Sequence, residues 1–300
     1  MFRHWIESIK RINSADDRNP HKAKVGALYA ILGNIFYGIG NLVTAGYPTT
    51  PGLLFWRGLG VSSFTLTRRP KFNRYSVTIG IIHASHMVTY VSVIRIGPAW
   101  FGAAALSAVP AIAWLTRRNG SYVGGILVFV MLIAGVIFAL DPSSSSISNL
   151  SIVLGFITII MVAARNEFAS LWAKKIDPNA ALATTFFSAA TVGYIMSLVL
   201  DEPLTFVFWS VLGAVGAGFI GHRSIYASAK RAEPIVLAVA TPIAIIVTAI
   251  GAYIFYKEDL PHGLQLVALI IWVACGMWIS FFLKNKLESK IVEEIRSTEI

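Results

Sequence analysis

Ten apolar runs constrain this chain more than any other feature of its sequence. Each has about the 17 to 25 residues that an α-helix needs to cross the ~30 Å hydrocarbon core of a bilayer. Five runs lie in each half of the chain, and polar or basic residues separate them. We therefore predict an all-α integral membrane protein with ten transmembrane helices, numbered here as segments 1 to 10. The runs lie at about 25–45, 52–67, 76–95, 98–116, 121–140, 149–172, 180–200, 204–226, 234–256 and 262–283.

The composition excludes a soluble fold. The chain is 56% hydrophobic and only 13% charged, with a mean hydropathy of +0.68. Buried helices of a soluble protein would need a polar face on most of them, and these segments carry almost none.

The basic residues predict the orientation in the membrane. With the N-terminus in the cytoplasm, every Lys and Arg except Arg57, Arg95, Arg165 and Lys257 falls in a cytoplasmic loop or tail. This asymmetry is the positive-inside pattern, so we predict that both termini are cytoplasmic. The net charge of +10 then reflects topology and does not indicate a nucleic-acid partner.

Segments 3 and 8 end in related sequences, HMVTYVSVIRIGP at 86–98 and HRSIYASAKRAEP at 222–234. A period near half the chain length indicates two copies of one unit. Because each unit has five helices, an odd number, the second copy must enter the membrane from the opposite side, which makes the repeats inverted. The identical pairs are His86/His222, Tyr90/Tyr226, Ser92/Ser228, Arg95/Arg231 and Pro98/Pro234, with Gly80/Gly216 upstream.

This repeat defines the expected organisation. Residues 1–24 are a cytoplasmic basic segment, either a short amphipathic helix on the membrane surface or a disordered tail. The first five-helix repeat spans 25–140, an external polar linker 141–148, the second five-helix repeat 149–283, and a cytoplasmic tail 284–300.

Four stretches carry a resemblance to a known family: FWRGL at 55–59, YVSVIRIGPAWFGAAALSAVP at 90–110, YASAKRAEPIVLAVATP at 226–242 and YKEDLPHGLQLVALIIWVACG at 256–276. Over roughly residues 25–283 the chain resembles the drug/metabolite transporter superfamily and its EamA-like repeat. The resemblance implies ten helices in two inverted halves and a central cavity lined mainly by segments 1, 3, 4, 6, 8 and 9. It also implies transport, and it names no substrate.

The chain departs from the family pattern in two places. Glu258 occupies the acidic turn position of the second half, but the first half has TRRNGSY at 116–122 with no acidic residue. Pro98 and Pro110 are 12 residues apart, whereas Pro234 and Pro242 are 8 apart. The helices that begin at Pro98 and Pro234 therefore need not superpose.

Polar residues form a stripe on segment 1. Asn34, Tyr37 and Asn41 recur at i, i+3 and i+7 and share one helical face. Hydrocarbon offers such side chains no partner, so the stripe must face protein or a wet cavity. Cavity lining and hydrogen bonding between helices are both open for it.

Histidines repeat this spacing on segment 3. His83, His86 and Tyr90 share a face, and His222 and Tyr226 are their counterparts on segment 8. We expect neutral imidazoles that contact substrate, take part in proton coupling, or simply pack in the core. No third or fourth ligand matches the pair in HASH at 83–86, so we predict no metal site and no cofactor.

Charged residues within segments need a reason to be there. An arginine at membrane depth costs about 2.5 to 3.5 kcal/mol, so Arg57 either binds an anionic group of a substrate or extends outward to the interface. Arg165, Asn166 and Glu167 form a cluster in segment 6, for which an internal ion pair or extension to the interface is the simpler interpretation. If transport depends on carboxylate protonation, Glu167 is the candidate.

Prolines mark a candidate transport site. Pro110 and Pro242 lie inside segments 4 and 9, where proline kinks a helix and frees carbonyl groups. Kinked helices at matching places in two halves point to a binding site, and Ser107 and Thr241 are the polar side chains beside them.

Close helix packing is expected along Gly213, Ala217 and Gly221. Interface anchoring is expected of Trp100, Trp114, Trp172, Trp209 and Trp278.

These features predict a secondary transporter and not an enzyme, because the chain contains no HExxH, GxSxG or paired carboxylates. Cationic and imidazole groups at depth outnumber carboxylates, which favours a small organic solute with an anionic group, such as an amino acid. Phosphorylated or nucleoside-type metabolites or drugs are the alternative. A non-transporting structural or receptor-like protein is another, and it predicts polar stripes that pair with each other and leave no cavity. We expect a bacterial or archaeal inner membrane, lipid surroundings, and a monomer or a dimer.

Overall fold

The computed structural model describes residues 20–116, 122–140, 148–172, 175–229 and 234–298, and every regular element in these ranges is helical. The side chains of Trp114, Asn166, Glu167 and Tyr226 lie outside the described part, as do residues 1–19 and 141–147. A 3-10 turn, Leu106–Ala108, joins α4 to α5. The helices are α1 (Pro20–Ala45), α2 (Thr50–Leu66), α3 (Arg74–Ile96), α4 (Ala99–Ala105), α5 (Val109–Thr116), α6 (Tyr122–Leu140), α7 (Asn149–Leu171), α8 (Pro178–Leu200), α9 (Phe208–Ala229), α10 (Pro234–Tyr256) and α11 (Gly263–Thr298).

Each apolar segment lies in a helical element. Segments 1 to 3 correspond to α1 to α3, segment 4 to α4 with the 3-10 turn and α5, and segments 5 to 10 to α6 to α11. Ten membrane crossings and the inverted repeat stay predictions. Four described stretches are long and apolar enough to cross a membrane: Lys24–Ala45, Arg74–Ile96, Pro178–Leu200 and Gly263–Ser280.

Large apolar side chains cover the outside of the helical assembly. Leu198 on α8 is 67% exposed and Phe255 on α10 is 71% exposed. Contiguous apolar surface of this kind is rare on soluble proteins and is what hydrocarbon chains require of a neighbouring helix. The surface therefore supports a membrane location.

Tryptophans separate into two groups. Trp209 and Trp278 are 77% and 56% exposed, which suits the predicted interface anchors. The same prediction is wrong for Trp100, which is only 1% exposed and packs with Val93 and Ala249. The reason is that α4 lies inside the assembly, against α3 and α10.

The helix pairs connect the two halves of the chain. α1 packs against α9 and α10, and α3 packs against α7 and α8. α2 packs against α8, and α6 packs against α11. The predicted small-residue stripe on α9 lies in the first of these contacts, since Ala217 faces Gly40 and Gly221 faces Tyr37 of α1.

Two glycines allow α2 and α8 to approach closely. A Cβ atom on Gly58 of α2 would lie 2.5 Å from the carbonyl oxygen of Phe186, and one on Gly193 of α8 would lie 2.7 Å from that of Pro51. Both neighbours are backbone atoms, which cannot turn away. The pair is therefore set at a distance that only glycine permits at these positions.

Loops predicted on the outer side contact each other at one end of the assembly. Arg95 donates hydrogen bonds to the carbonyls of Ala45 and Pro48 at 3.0 and 3.2 Å, and Tyr47 donates its hydroxyl to Thr205 O at 2.8 Å. The Arg95 side chain thus ties the end of α3 to the loop between α1 and α2. This contact gives Arg95, a basic residue outside the predicted cytoplasmic loops, a structural role.

Glu258 also lies at this end. Its carboxylate accepts a hydrogen bond from Ala99 N, the first residue of α4, at 2.9 Å. Burial raises the pKa of the Glu258 carboxyl, and the Ala99 bond partly opposes that shift. The acidic turn residue of the second half therefore holds the start of the interrupted helix in the first half.

Asp177 organises the opposite end. It is the N-cap of α8, and its Oδ1 accepts from Asn179 N at 2.8 Å and Ala180 N at 3.2 Å. Its Oδ2 accepts from Lys71 N at 2.8 Å, which links the loop before α3 to the start of α8. Burial alone would raise the pKa of this carboxyl, but the three backbone N–H groups lower it.

We predict that Gly58→Ala destabilises the protein by about 1 to 3 kcal/mol, because the new methyl group must push apart two backbones. The matched control is Gly216→Ala on α9, where a Cβ would meet nothing within 4 Å. That control should be neutral or stabilising by up to about 1 kcal/mol. Melting temperatures in detergent test the pair, and equal values for both variants would contradict the close α2–α8 approach.

We predict that Asp177→Ala costs about 1 kcal/mol at neutral pH, since α8 loses its N-cap. The folded pKa of this carboxyl is lowered, so its contribution is present above the unfolded pKa and is lost as pH falls through the folded pKa. The difference from wild type should therefore shrink in acid. Asp177→Asn keeps an acceptor oxygen and should lose less, which denaturation at several pH values would measure.

Candidate functional site

A central cavity of about 370 Å³ lies between the two halves. Side chains from α1, α2, α3, α7, α9 and α10 line it, together with residues on both sides of the 3-10 turn. The lining consists of Asn34, Tyr37, Gly40, Asn41, Arg57, His83, His86, Met87, Tyr90, Val91, Ala103, Leu106, Val109, Pro110, Val162, Arg165, His222, Ile225, Thr241 and Ala244. Its volume is within the range of pockets that hold small organic ligands.

The polar stripe of α1 serves two purposes at once. Asn34 and Asn41 both line the cavity and are nearly fully buried. Asn34 donates to its own helix, at Ala30 O. Asn41 accepts from Tyr90 OH of α3 at 2.9 Å and donates to Thr248 Oγ1 of α10 at 3.1 Å. The two interpretations left open for this stripe are therefore both realised.

Three imidazoles form one cluster across the cavity, defined here by His83, His86 and His222. The His83 and His86 rings stack with centroids 5.6 Å apart, and His222 meets His83 edge-on at 5.2 Å. All three side chains are buried. The predicted counterparts on α3 and α9 thus meet in one place.

Two members of the imidazole cluster have a described polar partner. Arg165 Nη1 lies 3.1 Å from His83 Nε2. Because a guanidinium only donates hydrogen bonds, His83 Nε2 must be the acceptor. Tyr37 OH lies 2.7 Å from His222 Nδ1, with their rings edge-on at 5.2 Å. These contacts connect the cluster to α7 on one side and to α1 on the other.

Arg57 points inward from α2. Its guanidinium carbon lies 5.7 Å from the centre of the Phe186 ring, a cation–π distance, and its side chain lines the cavity. Among the described residues its Nε is buried without a hydrogen-bond partner. Of the two interpretations of this residue, extension out to the membrane interface is not what the structure shows.

The described lining has an excess of positive charge. Arg57 and Arg165 are both part of it, and no Asp or Glu is among the lining side chains that the structure describes. A buried charge must be paired or must meet a charged ligand. The arrangement is therefore suited to a ligand with an anionic group.

The two prolines differ in their effect. Segment 4 is interrupted by the 3-10 turn immediately before Pro110, as predicted, whereas α10 is continuous through Pro242. Pro110 and Thr241 line the central cavity. Ser107 does not, which corrects its prediction as a cavity residue, because the tight turn directs it to a small adjoining cavity shared with Pro242 and Gly276.

The sequence analysis missed some residues in or beside the cavity lining, and some predicted ones are not described. Thr248 was missed because a lone threonine can bond to its own helix, here Ala244 O at 2.7 Å, and so gives no signal of a distant partner. The apolar lining residues, such as Met87 and Val162, follow the helical stripes. Their sequence pattern does not distinguish them from ordinary core residues. The side chains of Glu167 and Tyr226 lie outside the described part. Among the described residues, no group of three or more His, Cys, Asp or Glu side chains, the imidazole cluster included, has an arrangement that could hold a metal ion.

Comparison with known proteins supports the fold and leaves the function open. No protein-family model matches the chain, and no curated protein matches it. Twelve chains of solved structure match it. One, described as "Crystal structure of protein", has a TM-score of 0.53 at 15% identity, and the match covers 86% of this chain and 97% of that one. At this identity the likeness shows a shared fold alone.

We predict that Tyr90→Phe lowers the free energy of unfolding by about 1 to 3 kcal/mol, since Asn41 Oδ1 loses its buried donor. Thr248→Val removes the other partner of Asn41, and the two changes should be non-additive because both act through one side chain. Melting curves of the single and double variants measure this coupling. Tyr253→Phe on the exposed face of α10 is the control and should stay within about 0.5 kcal/mol of wild type.

Proposed function

We propose that this protein is a secondary transporter that binds a small organic anion in the central cavity and moves it across the membrane by alternating access. The observation that carries the proposal is the cavity itself. It is about 370 Å³ in volume, lies between the two halves, and has Arg57 in its wall with a buried nitrogen that lacks a described partner. The cost of holding an arginine there is explained if its partner is a transported solute.

The helix pairs support a ten-helix protein with two inverted repeats. If segments 1 to 5 are exchanged with segments 6 to 10, the pair α1–α9 becomes α7–α3, and α2–α9 becomes α8–α3. The pairs α2–α8 and α6–α11 become themselves. All of these contacts occur, so the packing follows the exchange. A pseudo-two-fold arrangement of this kind lets two halves swap conformations and expose one site to either side.

The drug/metabolite transporter resemblance agrees with this proposal. It implies a cavity lined mainly by segments 1, 3, 4, 6, 8 and 9, and described residues of all six line the cavity, joined by Arg57 of segment 2. We therefore propose membership of that superfamily. The predicted site residues that line the cavity are Asn34, Tyr37, Asn41, Arg57, His83, His86, Tyr90, Arg165, His222 and Thr241.

The substrate is proposed to be a carboxylate-bearing metabolite, such as an amino acid or a related acid. Arginine is the side chain best suited to carboxylate and phosphate groups, because its planar fork donates two parallel hydrogen bonds. Tyr37 and Tyr90 supply aromatic surface for an organic body. A phosphorylated metabolite satisfies the same chemistry and is the alternative solute.

A non-transporting structural or receptor-like protein is the weaker candidate. It predicts that the polar stripes pair among themselves and fill the space between them. Asn41, Tyr90 and Thr248 do pair, but about 370 Å³ stays open beside them. The open volume favours a bound solute.

A thermal-shift screen of the purified protein tests the proposal with carboxylates, amino acids, sugar phosphates, nucleotides and amines. A ligand at 100 times its dissociation constant stabilises the native state by about 2.7 kcal/mol. We expect one anionic class to raise the melting temperature. Arg57→Gln should abolish the shift, because the neutral side chain cannot pair with the anion.

Arg68→Gln is the matched control, since Arg68 is an exposed arginine outside the cavity wall. It should respond to the ligand as wild type does. The proposal would be overturned if no anionic class shifted the melting temperature, or if Arg57→Gln responded like wild type. Uptake of the identified ligand into proteoliposomes then distinguishes transport from binding alone.

A further inference from the structure

One imidazole of the cluster, His86, has no described hydrogen-bond partner at either ring nitrogen. His83 Nε2 accepts from Arg165, and His222 Nδ1 is bonded to Tyr37 OH. His86 Nδ1 is buried, in a side chain only 7% exposed that lines the cavity, and within the described part of the chain it has no hydrogen-bond partner. A buried polar atom without a partner is unfavourable. A ligand in the cavity that forms a hydrogen bond with the His86 ring would therefore be favoured.

The His83 bond determines where a proton can go. Arg165 occupies His83 Nε2 as a donor, so His83 cannot become an imidazolium without breaking that bond. His222 shares its Nδ1 with Tyr37 at 2.7 Å. His86 is the one member of the cluster with no described hydrogen bond at either ring nitrogen, so it can take up a proton without breaking one. Of the three imidazoles it is the natural proton acceptor.

The surroundings keep His86 neutral while the cavity holds no anion. Two guanidinium groups share its cavity, and the described lining adds no carboxylate to balance them. The neighbouring helices α4 and α8 contain no Asp, Glu, Lys, Arg or His. The titratable or charged groups that line this cavity with it are Tyr37 from α1, Arg57 from α2, His83 and Tyr90 from α3, Arg165 from α7 and His222 from α9.

We infer that binding of the anion is coupled to the uptake of one proton by His86, so that the solute and a proton occupy the site together. This inference rests on the proposed function. The anion brings one negative charge, and the proton comes from water and binds to the imidazole. The resulting imidazolium donates an N–H to the anion, while Arg57 donates from α2. The loaded site then carries the same net charge as the empty one.

Charge balance gives this coupling a mechanistic role. Moving an uncompensated charge through a low-dielectric interior is costly. A site whose net charge does not change on loading can convert between its outward-open and inward-open forms at similar cost when empty and when full. The anion and the proton would therefore travel in the same direction, and a proton gradient would drive uptake of the anion.

The linkage has a definite sign. When binding takes up one proton, affinity rises as pH falls, by about tenfold per pH unit wherever the free imidazole is neutral and the bound one is charged. The slope flattens at low pH, where the free imidazole is already protonated, and at high pH, where the bound imidazole loses its proton.

Binding of benzoate and of methanesulfonate to the purified full-length protein tests the inference. Both probes stay anionic between about pH 5.5 and 8.5, the range in which histidine titrates, so any proton uptake belongs to the protein. We expect the dissociation constant from thermal-shift titrations to rise with pH, by up to about tenfold per pH unit where the bound imidazole is charged and the free one is neutral. Calorimetry in two buffers of different ionisation enthalpy should count about one proton taken up per anion.

His86→Gln keeps a polar side chain that cannot be charged, and it should bind with a pH-independent dissociation constant. His86→Asn is a second neutral replacement in case the first does not fold. The matched control is His262→Gln, an exposed histidine in the loop before α11, which should retain the wild-type slope.

The outcomes separate the two proposals. Anion binding that depends on Arg57 but not on pH, or a slope that persists in both His86 variants, would overturn the proton coupling and leave the anion site intact. If neither probe binds to wild type at any pH, and no anion of the wider screen binds, both proposals are overturned.

Discussion

Every polar group inside hydrocarbon must find a partner within the protein, and the rest of this structure depends on that requirement. It explains why polar side chains on α1, α3, α7 and α9 converge on one region and do not scatter over the surface. Some of these polar groups are paired by hydrogen bonds between helices, such as those that Asn41 makes with Tyr90 and Thr248. Within the described part, Arg57 Nε and His86 Nδ1 have no partner and belong to side chains that line the cavity, whereas other atoms without a partner, such as Ser228 Oγ and Gln265 Nε2, lie elsewhere. The same requirement therefore stabilises the scaffold and accounts for the polar lining of the cavity.

Small residues set the geometry in which this can happen. Gly58 and Gly193 bring α2 and α8 to a separation that no larger residue permits there, and the Gly213, Ala217, Gly221 stripe lets α9 pack closely against α1. Close contacts of this kind replace the hydrophobic effect, which drives no association between helices already surrounded by lipid. They bring the two halves into close contact at α1–α9 and α2–α8.

The halves share a packing pattern but differ at the segments that carry Pro110 and Pro242. In the first half the helix breaks at a 3-10 turn, and Glu258 from the second half caps its first helical portion at Ala99. In the second half α10 runs through Pro242 without interruption. A proline removes one donor and crowds the preceding turn, yet whether the helix breaks depends on how its neighbours support it. In the first half, Gly276 of α11 lies so close to the Ser107 carbonyl at that turn that a Cβ atom would not fit between them.

Local periodicity was enough to predict the helical segments, the stripe of Asn34, Tyr37 and Asn41, and the matching histidines on α3 and α9, because spacing along a helix decides which residues share a face. It could not decide what each face meets. Only the tertiary structure showed that Arg57 points inward, that Trp100 is buried, that Ser107 is turned away from the cavity and that Thr248 completes the Asn41 bonds. Those outcomes depend on contacts between residues far apart in the chain. They depend on which helices lie side by side. The residue pattern of one helix does not determine which helices will pack against it.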